Sequence, residues 1–439
     1  MRPRLFALLY LLLWCTIATA QEKLLQSGPM VGAGDMKEVK LWVQTKESAK
    51  VKIKYWEQGS EKKTYYTPEV KTEAANAFAT DLIANKVEPG KKYTYELYIN
   101  NKKVKRPYAL EFQTQELWQY RKDAPDFTFA VGSCFYVNDT PYDRPGTPYG
   151  GGYEILNSIY TKKPDFMLWL GDNTYLREPD WNTLTGIQYR YTHTRSLPEL
   201  QPLLGSMHNY AMWDDHDFGP NNSDRSFWMK DVTLNTFKTF WANPNYIFED
   251  AGITSTFSWN DVQFFMMDDR FFKSPNSRTD HKAYLGEEQL QWLIDALHYS
   301  TATFKVVCIG GQVLNPAEEK ENYSNHPEER QKLLDAIQKA KIRGVIFFSG
   351  DRHFTELTKL DRAGTYPLYD FTISALTAGP SDPKDEPNTL RVPETLFTKR
   401  NFGLVNVSGP KNDRRLKVTI LDKDGKEVWN KELRADELK

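Results

Sequence analysis

The sequence predicts two domains of different fold class, an N-terminal all-β sandwich followed by a larger, layered α/β domain. Up to about residue 122, short runs alternate apolar and polar residues, which is typical of half-buried strands. After that point uninterrupted apolar runs appear, separated by longer segments with apolar residues at helical spacing. A length of 439 residues also exceeds that of one ordinary domain.

The first 20 residues are predicted to be a secretory signal peptide. Arg2 and Arg4 precede a short apolar run that ends in Ala18-Thr19-Ala20, just before Gln21. A positive start, an apolar middle and a small-x-small end are typical of a cleaved signal, and the alternative is an uncleaved anchor. No later stretch is long and apolar enough to cross a bilayer. We therefore expect an exported protein, periplasmic or secreted, with no integral membrane segment after cleavage.

Residues 21–122 are predicted to form the β-sandwich. Runs such as VKLWVQT and VKIKYWEQ alternate in polarity and are broken by turn residues such as Glu88-Pro89-Gly90. The stretch VEPGKKYTYEL resembles the turn and strand at the corner of immunoglobulin-like or fibronectin-like domains. No chemically reactive group stands out in this region.

Residues 123–439 are predicted to form the α/β domain. Runs such as FTFAVGSC, PDFMLWLGD and RGVIFFSGDRH indicate strands that are buried on both faces. LGEEQLQWLIDALHY and HPEERQKLLDAIQKAKIRG have the spacing of amphipathic helices. The C-terminal runs NFGLVNVSG and RRLKVTILDKDGKEVWN return to strands, which we expect to complete the same domain at a sheet edge.

Charge and cysteine content exclude some classes of protein. Lys and Arg number 57 against 58 Asp and Glu, so no global field attracts nucleic acid, and none is expected as a partner other than as a substrate. Removal of the signal leaves Cys134 and Cys308, too few for a disulfide framework. One bridge between these two cysteines is an alternative to a free Cys134.

Four of the predicted buried strands end on groups that can ligate a metal. In order along the chain, these groups are Cys134, then Asp172 with Tyr175, then Asp214-Asp215-His216, and finally Asp351 with His353. Ligands collect beyond the carboxyl ends of strands in open α/β sheets, so we expect these ends to converge. One aspartate after a strand is often a cap, but four such ends favour a site. Thiolate, phenolate, carboxylates and imidazole differ from structural zinc ligands and suggest two unlike metals.

An ordered set of motifs then resembles a known family. GSC, GDNTY, WDDHD, MDDR, LGEEQLQWL and SGDRHFTEL occur in the order found in the alkaline phosphatase D (PhoD-like) family of the calcineurin-like metallophosphatase superfamily. SGPMVGAGDMKEVKLWVQT resembles the start of that family's N-terminal β-domain. GD-x-x-Y also recurs in purple acid phosphatases, where the tyrosine binds ferric iron. The resemblance implies a four-layer αββα metallophosphatase domain and an enzyme that activates water at a binuclear metal site for in-line attack on a phosphate ester.

The resemblance also implies a ligand for each metal. A ferric ion would be held by Cys134, Asp172, Tyr175 and His353. Asp172 would bridge to a second metal, held also by Asp215 and Asp351. Calcium suits an oxygen-only shell of this kind, and a larger cluster or other divalent metals are alternatives.

Three catalytic residues are expected beside the metals. His216 would protonate or stabilise the leaving alkoxide, unless it is a core histidine. Arg352 or Arg270 would clamp a phosphoryl oxygen, although a salt bridge to Asp268 or Asp269 is an equal alternative for Arg270. After His216 the chain runs Asp217-Phe218-Gly219-Pro220-Asn221-Asn222 and departs from the family pattern, so no role carries over to these residues.

Two other functions remain open from the sequence. One is an exported binding protein that keeps the fold without turnover, and the other is a phospholipase-type diesterase. The intact set of ligating residues argues against the first. Neither the natural substrate nor the oligomeric state follows from the sequence.

Overall fold

The computed structural model describes residues 23–439, so the predicted signal peptide lies outside the described residues. Within this range the chain forms 21 β-strands in three sheets and seven α-helices. The strands are β1 (Leu25–Gly34), β2 (Val39–Thr45), β3 (Lys50–Glu57), β4 (Tyr65–Tyr66), β5 (Val70–Lys71), β6 (Ala79–Ala84), β7 (Lys92–Ile99), β8 (Lys102–Lys103), β9 (Glu111–Gln113), β10 (Phe127–Gly132), β11 (Phe166–Leu170), β12 (His208–Met212), β13 (Ser255–Trp259), β14 (Val262–Met266), β15 (Phe304–Ile309), β16 (Val345–Ser349), β17 (Glu356–Leu360), β18 (Leu368–Thr372), β19 (Asn401–Ser408), β20 (Arg415–Asp422) and β21 (Glu427–Arg434). The helices are α1 (Glu154–Thr161), α2 (Leu184–Arg195), α3 (Gln201–Ser206), α4 (Asp215–Phe218), α5 (Lys230–Phe240), α6 (Glu287–Tyr299) and α7 (Pro327–Lys339).

The first sheet runs through both parts of the chain. Its nine strands lie in the order β21-β20-β19-β10-β11-β12-β1-β2-β6. β1 pairs in parallel with β12, where Val31 lies beside His208, and the His208 ring contacts the Gly32 carbonyl at 2.7 Å. The N-terminal strands therefore extend the sheet of the α/β part instead of forming a separate body.

The N-terminal region is strand-rich, as predicted. Its other sheet has the order β4-β3-β7-β8, with β5 beside β3 and β9 beside β7. Buried residues such as Leu41 and Val43 of β2 and Ile53 and Leu97 of β3 and β7 join both sheets in one apolar cluster. The immunoglobulin-like type and the domain boundaries stay predictions.

The second large sheet packs face to face on the first. Its strands lie in the order β13-β14-β15-β16-β18-β17. The ring of Phe129 lies 5.3 Å from that of Phe264, and the ring of Phe166 lies 5.8 Å from that of Phe257. Since side chains alternate between the faces of a strand, neighbouring residues point away from this interface.

Helices cover the outer faces of both large sheets. Trp169 of β11 packs on Trp241, just after α5, with 5.8 Å between ring centres. Phe265 of β14 packs on Trp292 of α6 at 6.3 Å. The order of layers is therefore helices, sheet, sheet and helices. Among residues 23–439, each helix is too short or too polar to span a bilayer.

The carboxyl ends of the parallel strands in the two large sheets meet at one edge of the domain. A Cβ atom at Gly310, after β15, would lie 2.6 Å from Cγ of Asp214, after β12. At Gly350, after β16, a Cβ atom would lie 2.8 Å from the Leu170 carbonyl oxygen. Both positions require glycine because any side chain would collide with the facing sheet. The loops that carry the predicted ligands are thus pressed together.

A substitution at Trp42 tests whether packing between the N-terminal strands and the α/β part stabilises the fold. It is fully buried, its Nε1–H donates to the Thr239 carbonyl at 2.8 Å, and its ring lies 5.7 Å from that of Phe240. We expect Trp42→Ala to lower the free energy of unfolding by about 3–5 kcal/mol, as for other large core truncations. Chemical denaturation measures this loss. Trp56→Ala, at a partly exposed position of β3, is the control. An equal loss of unfolding free energy in both variants would contradict a special contribution of Trp42.

Candidate metal centre

Six of the predicted metal ligands converge where the two sheets meet. Five of them, with Asp214 and His216, fall into overlapping groups in which all ligating atoms lie within 4.8 Å of one another. These groups are Cys134, Asp172 and His353; Asp172, Asp215 and His216; and Asp172, Asp214, Asp215 and Asp351. Tyr175 joins the first through the contacts given below. Asp172 belongs to every group, so its carboxylate lies at the middle of the centre.

Four of these residues have backbone in the left-handed region. The φ angles are 58° at Cys134, 52° at Asp172, 60° at Asp351 and 57° at His353. This conformation is unfavourable for a residue with a Cβ atom and persists where the surrounding structure imposes it. Four such residues in one cluster indicate that the turns are shaped to aim these side chains at each other.

The first side of the centre carries a mixed donor set. The phenol of Tyr175 donates to Oδ2 of Asp172 at 3.2 Å and lies 3.2 Å from Nε2 of His353. Sγ of Cys134 lies 3.5 Å from the same Asp172 oxygen. All four side chains are buried or nearly so. Sulfur, phenol oxygen, carboxylate and imidazole are donors that suit a transition metal.

The Gly379 carbonyl fixes which nitrogen of His353 faces the centre. Nδ1 of His353 lies 2.8 Å from this oxygen. Since a carbonyl can only accept, Nδ1 carries the proton and Nε2 keeps its lone pair. The Gly379 carbonyl therefore orients the ring so that Nε2 faces Tyr175 as a potential ligand atom.

The second side of the centre carries carboxylates. Oδ1 of Asp172 accepts the backbone N–H of His216 at 3.1 Å, while its Oδ2 faces Cys134 and Tyr175. Oδ2 of Asp172 thus lies beside the sulfur and phenol donors, and its Oδ1 faces the turn that carries Asp215 and His216. Among the described residues, Oδ1 of Asp215 and Oδ2 of Asp214 are buried without a hydrogen-bond partner. Unpaired buried carboxylate oxygens are costly, and cations bound here would satisfy them.

Burial also changes the acidity of the centre. Burial, with Asp215 and Cys134 close by, raises the pKa of Asp172 well above its ordinary value. Burial raises the pKa of the Cys134 thiol to about 12, and burial and Asp215 raise the pKa of Asp351. A cation bound here would compete with protons for these groups. The residues present fit a centre for two metals.

The two arginines predicted to clamp a substrate already have partners. Arg270 is buried and forms ion pairs with Asp214 and Glu321, while Oδ1 of Asp269 lies 3.7 Å from its Nε. The salt-bridge alternative for Arg270 is therefore present, with a closer partner in Asp214. Their catalytic roles stay predictions.

Arg352 is held in a similar way. Its guanidinium pairs with Glu386 and donates to Oδ1 of Asn322 at 2.8 Å. Its Nε lies 3.8 Å from Asp351. Most of its donors therefore point away from the centre.

Several residues around the centre were missed by sequence reasoning. Ser374 donates its hydroxyl to Sγ of Cys134 at 3.0 Å, and the phenol of Tyr149 lies 2.9 Å from Nδ1 of His353. Asp214, which the sequence analysis named at a strand end but did not assign to a metal, belongs to the carboxylate group. Ser374 and Tyr149 lie in loops without a recognisable motif.

Asp217 and Asn222 also support the centre. The Asp217 carboxylate accepts the backbone N–H groups of Asn173 and Asp214, each at 3.0 Å. The backbone N–H of Asn222 donates to Oδ2 of Asp215. Asp217 therefore ties the loop after β11 to the turn after β12, and Asn222 orients a predicted ligand.

Cys134 and Cys308 are both free and buried. The structure therefore does not contain the disulfide that was the alternative to a free Cys134. Cys308 lies within β15, where Met266 and Phe348 are its neighbours in the sheet. It contributes to the core as a small apolar side chain.

Sequence comparison matches two family models. The model described as PhoD-like phosphatase matches residues 129–413, more than half of the chain. A domain of unknown function (DUF7800) matches residues 22–117. Alkaline phosphatase D of Bacillus subtilis (strain 168) is 22% identical over 328 residues, which cover 63% of this chain and 53% of the relative. The chain thus spans about half the length of this curated relative.

Two solved structures share the fold at low sequence identity. A structure of PhoD superposes with a TM-score of 0.75 at 16% identity and covers 93% of this chain and 90% of that chain. The purple acid phosphatase PPD1 from yellow lupin (Lupinus luteus) seeds gives a TM-score of 0.69 at 12% identity, with coverage of 92% and 74%. These matches confirm a fold of mixed sheets covered by helices.

The raised pKa values of three predicted ligands lead to a prediction about pH. Because the pKa values of Asp172, Asp351 and Cys134 are raised without a cation, metal binding should release protons. Apparent calcium affinity should therefore increase from about pH 6 to about pH 8, as fewer protons compete. Calorimetric titration in two buffers of different ionisation enthalpy measures both effects.

Two variants provide the comparison for this titration. Asp215→Asn should weaken calcium binding, because it removes a charge from the carboxylate group. Asp361→Asn removes an exposed carboxylate and should change nothing. An affinity that is independent of pH and of buffer would show that the ligands are already ionised.

Proposed function

Because the chain belongs to the PhoD-like phosphatase family, we propose that it is an exported, metal-dependent phosphoric ester hydrolase. The observation that carries this proposal is the buried carboxylate of Asp172, which belongs to all three groups of potential ligating atoms. A carboxylate shared between two groups of ligands is what a pair of hydrolytic metal ions requires. Export rests on the predicted signal peptide.

The proposed metals follow the two donor sets. Ferric iron suits Cys134, Tyr175 and His353 with one oxygen of Asp172, because thiolate and phenolate are strong donors to an ion of high charge. Calcium suits Asp215, Asp351 and the other oxygen of Asp172, since it prefers oxygen ligands. The position of Asp214 in the same group supports its addition to the calcium ligands.

When bound, the two cations would supply a nucleophile from water at neutral pH and neutralise charge on the phosphoryl oxygens. The chain's own residues position the reaction around them. Asp217 fixes the turn that carries Asp215 and His216, and Gly379 fixes the orientation of His353. The buried position of the centre limits competing water.

His216 is proposed to stabilise the leaving oxygen. Its ring stacks on Tyr175 with 4.3 Å between ring centres, and its Nδ1 is buried without a hydrogen-bond partner in the described chain. Burial lowers the pKa of His216 to about 4, so the ring is neutral at neutral pH. A neutral ring acts here as a hydrogen-bond donor to the leaving alkoxide, and protonation of that alkoxide would follow its departure.

The ferric site predicts a visible absorption band. Protein purified with its native metals should contain iron and absorb visible light through charge transfer from Tyr175 and Cys134. Tyr175→Phe should remove or shift this band, because the phenolate donor is lost. Tyr136→Phe is the matched control, since Tyr136 packs on Tyr175 but its phenol donates to Asp143. A colourless protein with stoichiometric zinc would reject the ferric assignment and leave hydrolysis open.

The role of His216 predicts a dependence on the leaving group. His216→Ala should reduce kcat/KM for an alkyl phosphate by about 10²- to 10⁴-fold, the usual contribution of a positioned acid or hydrogen-bond donor. The loss should be smaller for an aryl phosphate, whose leaving group needs little help. His298→Ala, at an exposed position of α6, is the control. Metal loss with equal losses on both substrates would identify His216 as a ligand instead.

A further inference from the structure

Arg177 places a third guanidinium beside the metal centre. It follows Tyr175 by two residues and is only 9% exposed. The backbone N–H of the intervening Leu176 donates to the His216 carbonyl at 3.1 Å. The N–H of Arg177 itself donates to Oδ2 of Asp180 at 2.8 Å. These bonds fix the Arg177 backbone against the turn that carries Asp215 and His216.

Two tyrosine rings hold the Arg177 guanidinium. Its Cζ lies 4.1 Å from the centre of the Tyr136 ring and 5.6 Å from the centre of the Tyr175 ring. The two rings are 4.9 Å apart. Stacking on aromatic faces orients a guanidinium and leaves the hydrogen-bond donors at its edge available. The positive charge therefore lies against the tyrosine that contacts Asp172.

The Arg177 guanidinium has few hydrogen-bond and ion-pair partners in the described chain. The carboxylate nearest to it is that of Asp143, with Oδ1 3.7 Å from Nε, which is too long for a hydrogen bond. Asp143 already accepts from the Tyr136 phenol at 2.7 Å and from the Asp139 N–H at 2.6 Å. Nη1 of Arg177 lies 3.5 Å from the Leu176 carbonyl oxygen, and the guanidinium also interacts with the Tyr136 phenol. Nη2 is buried and has no hydrogen-bond partner among residues 23–439.

This pattern differs from that of the two arginines predicted from the sequence. Arg270 and Arg352 are each held by a close carboxylate, Glu321 and Glu386 respectively. A buried donor without a partner is costly unless a ligand completes it. Nδ1 of His216, on the adjacent turn, is unpaired as well.

We infer that Arg177 binds a non-bridging oxygen of the substrate's phosphoryl group, in place of Arg270 or Arg352. This inference rests on the proposed phosphoric ester hydrolysis. A planar guanidinium matches two oxygens of a tetrahedral phosphate, and Nη2 is the donor that the protein leaves free for one of them. Tyr136 positions the guanidinium, while His216 faces the leaving group.

Titration with inorganic phosphate tests this role directly. The mature, metal-loaded protein is titrated by calorimetry, and metal content is measured in each sample. Arg177→Gln should weaken phosphate binding by about 10- to 100-fold, as expected for the loss of a charge-assisted hydrogen bond. Arg177→Lys keeps the charge without the fork and should lose less. Arg144→Gln, at an exposed position beside Asp143, should bind phosphate as the unmodified protein does.

Two results would overturn the inference. One is unchanged phosphate affinity in Arg177→Gln at full metal content. The other is loss of metal in Arg177→Gln together with unchanged phosphate affinity in metal-loaded Arg177→Lys, which would assign Arg177 to holding the centre together. If the unmodified protein binds phosphate but hydrolyses no phosphate ester, the proposed function fails while the titration still decides the role of Arg177.

Discussion

The burial of several aspartates around one point, with few protein cations to match them, is the constraint on which the rest of the structure depends. Asp172, Asp214, Asp215 and Asp351 have ligating atoms within 4.8 Å of one another. Arg270 contacts Asp214 and is itself shared with Glu321. Like charges at such distances repel strongly where water is excluded, so positively charged partners at this point stabilise the group. The chemistry of the site follows from this need for positive charge.

The fold holds this unfavourable cluster by bringing two sheet edges together. Gly310 and Gly350 allow the ends of β15 and β16 to approach the ends of β12 and β11. Left-handed turns at Cys134, Asp172 and Asp351 then aim the side chains inward. The conformational free energy that these left-handed turns cost is offset by packing in the large aromatic core between the sheets. Rings such as Phe129 and Phe264 pack closely there.

The N-terminal region contributes to the same frame. Through β1 it extends the first sheet beside β12, the strand that leads into Asp214, Asp215 and His216. Trp42 of β2 packs into the core of the α/β part. The N-terminal region carries none of the predicted ligands, but it supports β12, the strand that positions Asp214, Asp215 and His216. The motif order of the sequence indicates two parts, but it carries no sign that they share a sheet.

The sequence by itself determined which strands end on groups that can ligate a metal, because a buried strand followed by Cys134, Asp172, Asp215 or Asp351 is a local pattern that needs no knowledge of distant contacts. It also predicted the layered α/β class, since strand and helix periodicities are local too. Only the tertiary structure decided how the charges are paired. Arg270 pairs with Glu321 and Arg352 pairs with Glu386, whereas the ion pair of Arg177 with Asp143 is longer, at 3.7 Å, although all three arginines lie near a motif. Ser374 and Tyr149 reach the centre from loops far along the chain. Such pairings depend on which loops the fold brings together, and a local pattern of residue types does not contain that information.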